Sequence, residues 1–215
     1  MKRVIEMRTY PFKLEVRSEE NQPPKITGYS AVYGQLSDDL GGFREKIEPG
    51  FFAEAIGRDD VRALFNHDDN LILARTVAKT LMLSEDDNGL FVEIIPPDTS
   101  YANDLLVSIK RGDISQMSFQ WQTEEDHWDS SDKNNVIRTL IKIKRLWDVS
   151  PVTFPAYPQT SLDMRNTPEG RSAKEVYKNY LDECQETKSR KGAEDRSGQE
   201  LMSIRRRKLE LMEKQ

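Results

Sequence analysis

Chain-breaking residues recur too often in the first 165 positions for long helices to form there. Gly, Pro, Asn and Asp cut short apolar or alternating runs at intervals of roughly ten residues, the length of a strand with its turn. The clearest instance is "KTLMLSEDDNGLFVEII", whose arms, Thr80 to Ser84 and Leu90 to Ile95, flank "EDDNG". Asn88 and Gly89 tolerate the positive backbone angles that a tight reversal demands. A second pairing is expected between "MSFQWQT" and "NVIRTLIKIKRLWDVS", with the polar stretch "EEDHWDSSDKNN" as the loop between them. On the later arm Ile137, Thr139, Ile141 and Ile143 fall on one face, opposite Arg138, Lys142 and Lys144, and Leu140 breaks the alternation.

Helical periodicity in this region is confined to "PGFFAEAIGRDD" and "TSYANDLLVSIKRG". The latter places Tyr101, Leu105 and Ile109 at four-residue spacing and reaches a stop at Gly112. The body therefore reads as mainly β with flanking helices. From about Asn166 the texture changes: Phe and Trp cease, Pro168 is the last proline, and charge becomes dense. "SAKEVYKNYLDEC" opens with Ser172 and Glu175 in capping-box spacing and sets Ala173, Val176, Tyr177, Tyr180, Leu181 and Cys184 on one stripe. A polar break, "KSRKGAEDRSG", precedes a second charged helical pattern, "QELMSIRRRKLELMEK". The chain thus divides into a body, residues 1–165, and a charged helical tail, residues 166–215, whose apolar faces are too narrow to fold alone. Such a tail is expected to be mobile or partner-bound, with an exposed break open to self-cleavage.

Charge narrows the function. The formal net charge of −5 is split as +2 over residues 166–215 and −7 over residues 1–165. An acidic body is a poor phosphate neutraliser, which argues against nucleic acid as its partner. "RRRK" at Arg205 to Lys208 is interleaved with glutamates and reads as a solvated helix face. No apolar run is long enough to cross a membrane, and "MKRVIEMRTYPF" lacks the apolar stretch of a secretory signal. The single cysteine, Cys184, excludes an internal disulfide and a multi-thiolate metal site and fits a reducing cytoplasm. "HDD" has no second histidine at ligand spacing, and there is no phosphate-binding glycine loop, so no metal or cofactor is expected.

Two histidines make elimination informative, because histidine is the usual general base near neutral pH. His67, in "ALFNHDDN", follows a strand over Val61 to Phe65 and reads either as a solvated turn residue or as a base. His127 lies in the polar loop. Ser118, in "GDISQMSFQW", alternates with Met117, Phe119 and Trp121, which anchor the opposite face of the strand. It is either an ordinary strand hydroxyl or a rigidly presented nucleophile, with Ser115 as the alternative. Asp148, in "RLWDVSPVTFPA", is carried inward by Trp147, Val149 and Val152. There it serves either as a strand-end carboxylate paired with a Lys or Arg, or as the acid that orients an imidazole.

In order and spacing, "GYSAVYGQL", "GGFREKIEPGFFAEAI", "LFNHDDNLILART", "TLMLSEDDNGLFVEI", "DLLVSIKRGDISQMSFQW" and "RLWDVSPVTFPAYPQTSL" resemble the tailed-phage prohead proteases. These are capsid-maturation serine peptidases related in fold to the herpesvirus assemblins. The resemblance implies a closed or nearly closed herpesvirus-protease-like β-barrel with flanking helices, followed by the tail. It also implies a catalytic set of His67, Ser118 and Asp148, with His127 as the alternative third member. Members of that family commonly carry glutamate at the position of Asp148 and glycine at those of Gln116 and Gln120. The implied partners are the major capsid protein with its scaffolding segment, or a separate scaffold, and the protease itself through self-cleavage or as a homodimer. The implied setting is the assembling prohead in the host cytoplasm. A non-catalytic scaffolding protein acting through the tail is the alternative function.

Overall fold

A computed structural model of the chain describes residues 5–10, 14–18, 20, 22–154 and 173–187. Strands β1 (Glu6–Tyr10), β2 (Glu15–Arg17), β3 (Lys25–Val32) and β4 (Arg44–Ile47) precede a short helix, α1 (Ala53–Arg58). Two hairpins follow, β5 (Arg62–Phe65) with β6 (Asp68–Arg75) and β7 (Leu81–Glu85) with β8 (Gly89–Ile94). Helix α2 (Ser100–Arg111) leads into two long strands, β9 (Gln116–Asp129) and β10 (Ile137–Val152). Residues 173–187 form α3. The chain divides into two compact units, Met1–Lys174 and Glu175–Gln215. Ser172 and the second tail helix expected from the sequence lie outside the described residues.

The ladders build a six-stranded sheet, β1-β9-β10-β5-β6 with β4 also on β10, and a four-stranded sheet, β2-β3-β8-β7. Strand β10 is the hub because of its length. It pairs with β9 along one side, and along the other with β4 at Ile137–Leu140 and β5 at Asp148, both parallel. The closed barrel is not found: among the described residues no ladder joins the two sheets, and β6 and β7 remain edges. A barrel needs a continuous circuit of pairing. Here the two sheets instead bury a common core, Ile26, Val92 and Ile94 from the smaller and Phe119, Trp121 and Leu146 from the larger.

The β9–β10 pairing differs from the expected loop in an instructive way. "EEDHWD" continues β9 as far as Asp129, so the connection is only residues 130–136 and His127 is an exposed strand residue opposite Thr139. Register shifts between Leu140 and Arg145 move the inward face along β10, so Arg138 and Leu140 point inward in the first half and Ile143 and Leu146 in the second. Strict alternation from sequence puts Arg138 outside; bulges change which side chains share a face.

Helix α2 ends as expected, with Gly112 at φ +85° and its N–H donated to the Ile109 carbonyl. In the β7–β8 hairpin the glycine requirement falls on Gly89 alone, at φ +154°. A Cβ there would lie 2.0 Å from the Ala31 carbonyl oxygen of β3. Gly89→Ala is therefore expected to destabilise the protein by about 3 kcal/mol through forced separation of β3 and β8. A urea midpoint indistinguishable from the parent protein would disprove this.

Candidate active site

The site is built on one face of β9 and β10. From Asp148 to Val152 the two strands run in regular antiparallel register, Asp148 opposite Gln120 and Ser150 opposite Ser118. Opposed residues and residues two apart share a face, so Ser118, Gln120, Asp148 and Ser150 project together. Phe119 and Val149 project the other way into the core. Phe119 stacks on Trp121 with centroids 4.5 Å apart and meets Phe52 edge-on at 5.2 Å. That aromatic packing fixes the strand carrying Ser118, as the alternation of Met117, Phe119 and Trp121 predicts. The polar face is nevertheless buried: Ser118 and Ser150 are 0% exposed and Asp148 is 3%.

His67 arrives from the β5–β6 hairpin. Phe65 pairs with Asp68, which leaves Asn66 and His67 as a two-residue loop with φ +55° and +58°. Positive φ at both central positions is the requirement of a type I′ reversal, for which Asn is among the best residues. The loop is clamped to the end of β10. The Asn66 N–H donates to the Pro151 carbonyl at 3.0 Å, its Nδ2 donates to Thr153 Oγ1 at 3.1 Å, and the Thr153 N–H returns to Asn66 Oδ1 at 2.8 Å. Held this way, the imidazole turns inward although it sits at a hairpin tip, and its side chain is 7% exposed.

His67 Nδ1 lies 2.6 Å from Asp148 Oδ1. Because a carboxylate oxygen only accepts, Nδ1 carries the proton, and in the neutral imidazole Nε2 is the nitrogen left with a lone pair. Nε2 is buried and has no hydrogen-bond partner among the described residues. Asp148 Oδ1 also accepts from Ser150 Oγ at 2.5 Å, and Ser150 Oγ accepts from the Leu64 N–H at 3.2 Å. Among the described residues Asp148 is thus partnered by a histidine and a serine, not by the Lys or Arg of the alternative reading.

Ser118 donates its hydroxyl to the Arg8 carbonyl of β1 at 2.9 Å, and no hydrogen bond links it to His67 among the described residues. The pairing of Ser118 with Ser150 still puts it next to the residue that touches Asp148. His127 is elsewhere: its strand partner Thr139 lies nine positions from Asp148 on β10, about 30 Å at ~3.3 Å per residue. Ser115 is exposed just ahead of β9. Cys184 is a half-buried residue of α3. Ser150 and the Asn66–Thr153 clamp were not among the expected site residues. Period-two spacing from Asp148 is the one sequence signal for Ser150, while the clamp depends on a tertiary approach that no local pattern encodes.

Among solved structures, the bacteriophage T4 capsid assembly protease, gp21, aligns with a TM-score of 0.47 and 9% sequence identity, covering 71% of this chain and 99% of that one. No curated protein matches the chain. The family model of the Caudovirus prohead serine proteases matches residues 12–175, a span that runs from β2 through β10 and takes in His67, Ser118 and Asp148; the chain belongs to that family.

Proposed function

We propose that this protein is a serine endopeptidase of prohead maturation in which Ser118 is the nucleophile, His67 the general base and Asp148 the acid that orients it. The observation that carries the reading is the 2.6 Å contact of His67 Nδ1 with Asp148, which leaves Nε2 buried and without a hydrogen-bond partner among the described residues. The relay requires the Ser118 hydroxyl to leave the Arg8 carbonyl and hand its proton to Nε2. Ser118 Oγ then attacks the peptide carbonyl carbon as Nε2 takes its proton; the C–N bond breaks, and the amine leaves with that proton. Water, deprotonated by His67, hydrolyses the acyl-enzyme. Membership of the family points to capsid or scaffold protein as substrate, inside the prohead in the host cytoplasm. The protease's own tail is a further target.

A second reading, a scaffolding protein that retains a protease-like body, is favoured by the complete burial of Ser118 and its bond to Arg8. A fluorophosphonate probe separates the two, because only an activated serine labels. Co-expression with the cognate capsid protein gives the physiological test. Precursor truncation by the parent and none by Ser118→Ala is expected, whereas equal processing by both would remove Ser118 from the mechanism.

A further inference from the structure

We propose that Ser150 is a positioning residue of the peptidase site, fixing the Asp148 carboxylate and splicing the His67 hairpin onto β10. This rests on the reading of His67 and Asp148 as base and orienting acid.

A carboxylate turns easily about its last side-chain bond, so one contact with an imidazole does not hold it. Ser150 supplies a second donor to the same oxygen, Oδ1, at 2.5 Å. The direction of that donation is itself determined. A hydroxyl has one proton to give, and the Ser150 oxygen is already accepting from the Leu64 N–H at 3.2 Å, which leaves the proton for Asp148. Ser150 is 0% exposed, so water does not compete for either bond.

The ladder gives Ser150 its second task. Only Asp148 and Arg62 pair in register between β10 and β5. Two residues on, the Leu64 N–H goes to the Ser150 side chain, and the Asn66 N–H then returns to the Pro151 carbonyl. The hydroxyl therefore stands in for a ladder acceptor where the hairpin rises out of register, the same place where β5–β6 pairing shifts at Leu64. Leu64 is three residues from His67. The circuit from Leu64 to Ser150, Asp148 and His67 closes on itself, with the hydroxyl as the element joining strand to acid.

The test uses full-length Ser118→Ala protein, which cannot use that hydroxyl for self-cleavage, labelled with nitrogen-15. Only two histidines contribute ring signals, and His127→Gln assigns them. In Ser150→Ala the His67 Nδ1 proton resonance is expected to move upfield or to broaden by solvent exchange, and in Ser150→Thr, which keeps the hydroxyl, to stay in place. With Ser118 intact, the second-order rate of fluorophosphonate labelling should fall about tenfold in Ser150→Ala and recover in Ser150→Thr. An unchanged His67 resonance in folded Ser150→Ala overturns the proposal. Should the alanine variant not fold, Ser150→Cys, close in size and a poor donor, is read the same way, and an unaltered resonance there counts equally against it. Failure of the triad reading shows separately, as undiminished labelling of Ser118→Ala.

Discussion

Replacing His67 by asparagine should leave a folded protein whose turnover of purified capsid precursor falls on the order of 10⁵-fold. Asparagine is the informative substitution because position 67 holds φ +58°, a conformation that Asn adopts at little cost. An alanine there would mix backbone strain with loss of the base. Asp148→Asn should cost about 10⁴-fold, since an amide NH2 facing His67 favours the tautomer that puts the proton on Nε2. Asp148→Glu tests fit instead of charge. The acid already meets His67 at 2.6 Å and Ser150 at 2.5 Å, so an added methylene displaces one contact or both. A loss of about 100-fold is expected. Circular dichroism and urea midpoints check the fold of each variant. If His67→Asn retains activity within tenfold of the parent, the relay from Asp148 through His67 to Ser118 is wrong.

Local periodicity carried most of what was legible in advance. Met117, Phe119 and Trp121 announced the buried face of β9, and Gly112 announced the end of α2, because both depend on residues adjacent in sequence. His67 and Asp148, eighty-one positions apart, could be paired only through family resemblance, since their contact depends on a hairpin folding over a neighbouring strand. Arg138 is where local reasoning failed. Alternation put it in solvent with Lys142 and Lys144, yet it is 2% exposed, because charged partners from three other strands surround it and bulges downstream shift the inward face. A buried guanidinium is recognisable from sequence only if its distant carboxylates are known. The same limit hid Ser150, whose partners come from β5 as well as from its own strand.

Arg138→Met should destabilise the protein by about 3–5 kcal/mol, a larger loss than most core truncations, because it strands buried carboxylates. Its Nη1 lies 2.9 Å from Glu45 Oε2, its Nη2 3.0 Å from Glu6 Oε1, and its Nε 2.6 Å from Asp126 Oδ2. Arg8 is the other cation of this cluster. Its Nε lies 3.1 Å from Glu45 Oε1 out of line for a hydrogen bond, and its Nη2 donates to Glu45 Oε2 at 3.3 Å and to Glu6 Oε2 at 3.4 Å, longer contacts than those of Arg138 and too loose to balance both carboxylates alone. A fall in urea midpoint of about 2 M is expected, and adding Glu6→Gln should restore part of it by removing one unbalanced charge. The pH dependence carries the same signature. Burial pushes the Glu6 carboxyl up, but the charge and hydrogen bond of Arg138, followed by Arg8 and Thr123, outweigh it and hold the group below its ordinary 4.5. A carboxyl depressed in this way stabilises the fold above pH 4.5, and that contribution is lost as pH falls through the lower folded value. Arg138→Met removes the main cause of the depression, so the acid-side loss should shrink or reverse in the variant. An Arg138→Met protein as stable as the parent, with the parent's acid profile, would show that the cluster contributes nothing. The cluster also reaches the site: Glu6 and Arg8 tie β1 to β4 and β10, and the Arg8 carbonyl receives the Ser118 hydroxyl. A variant that loosens β1 should therefore alter the fluorophosphonate labelling rate of Ser118 under conditions where it remains folded.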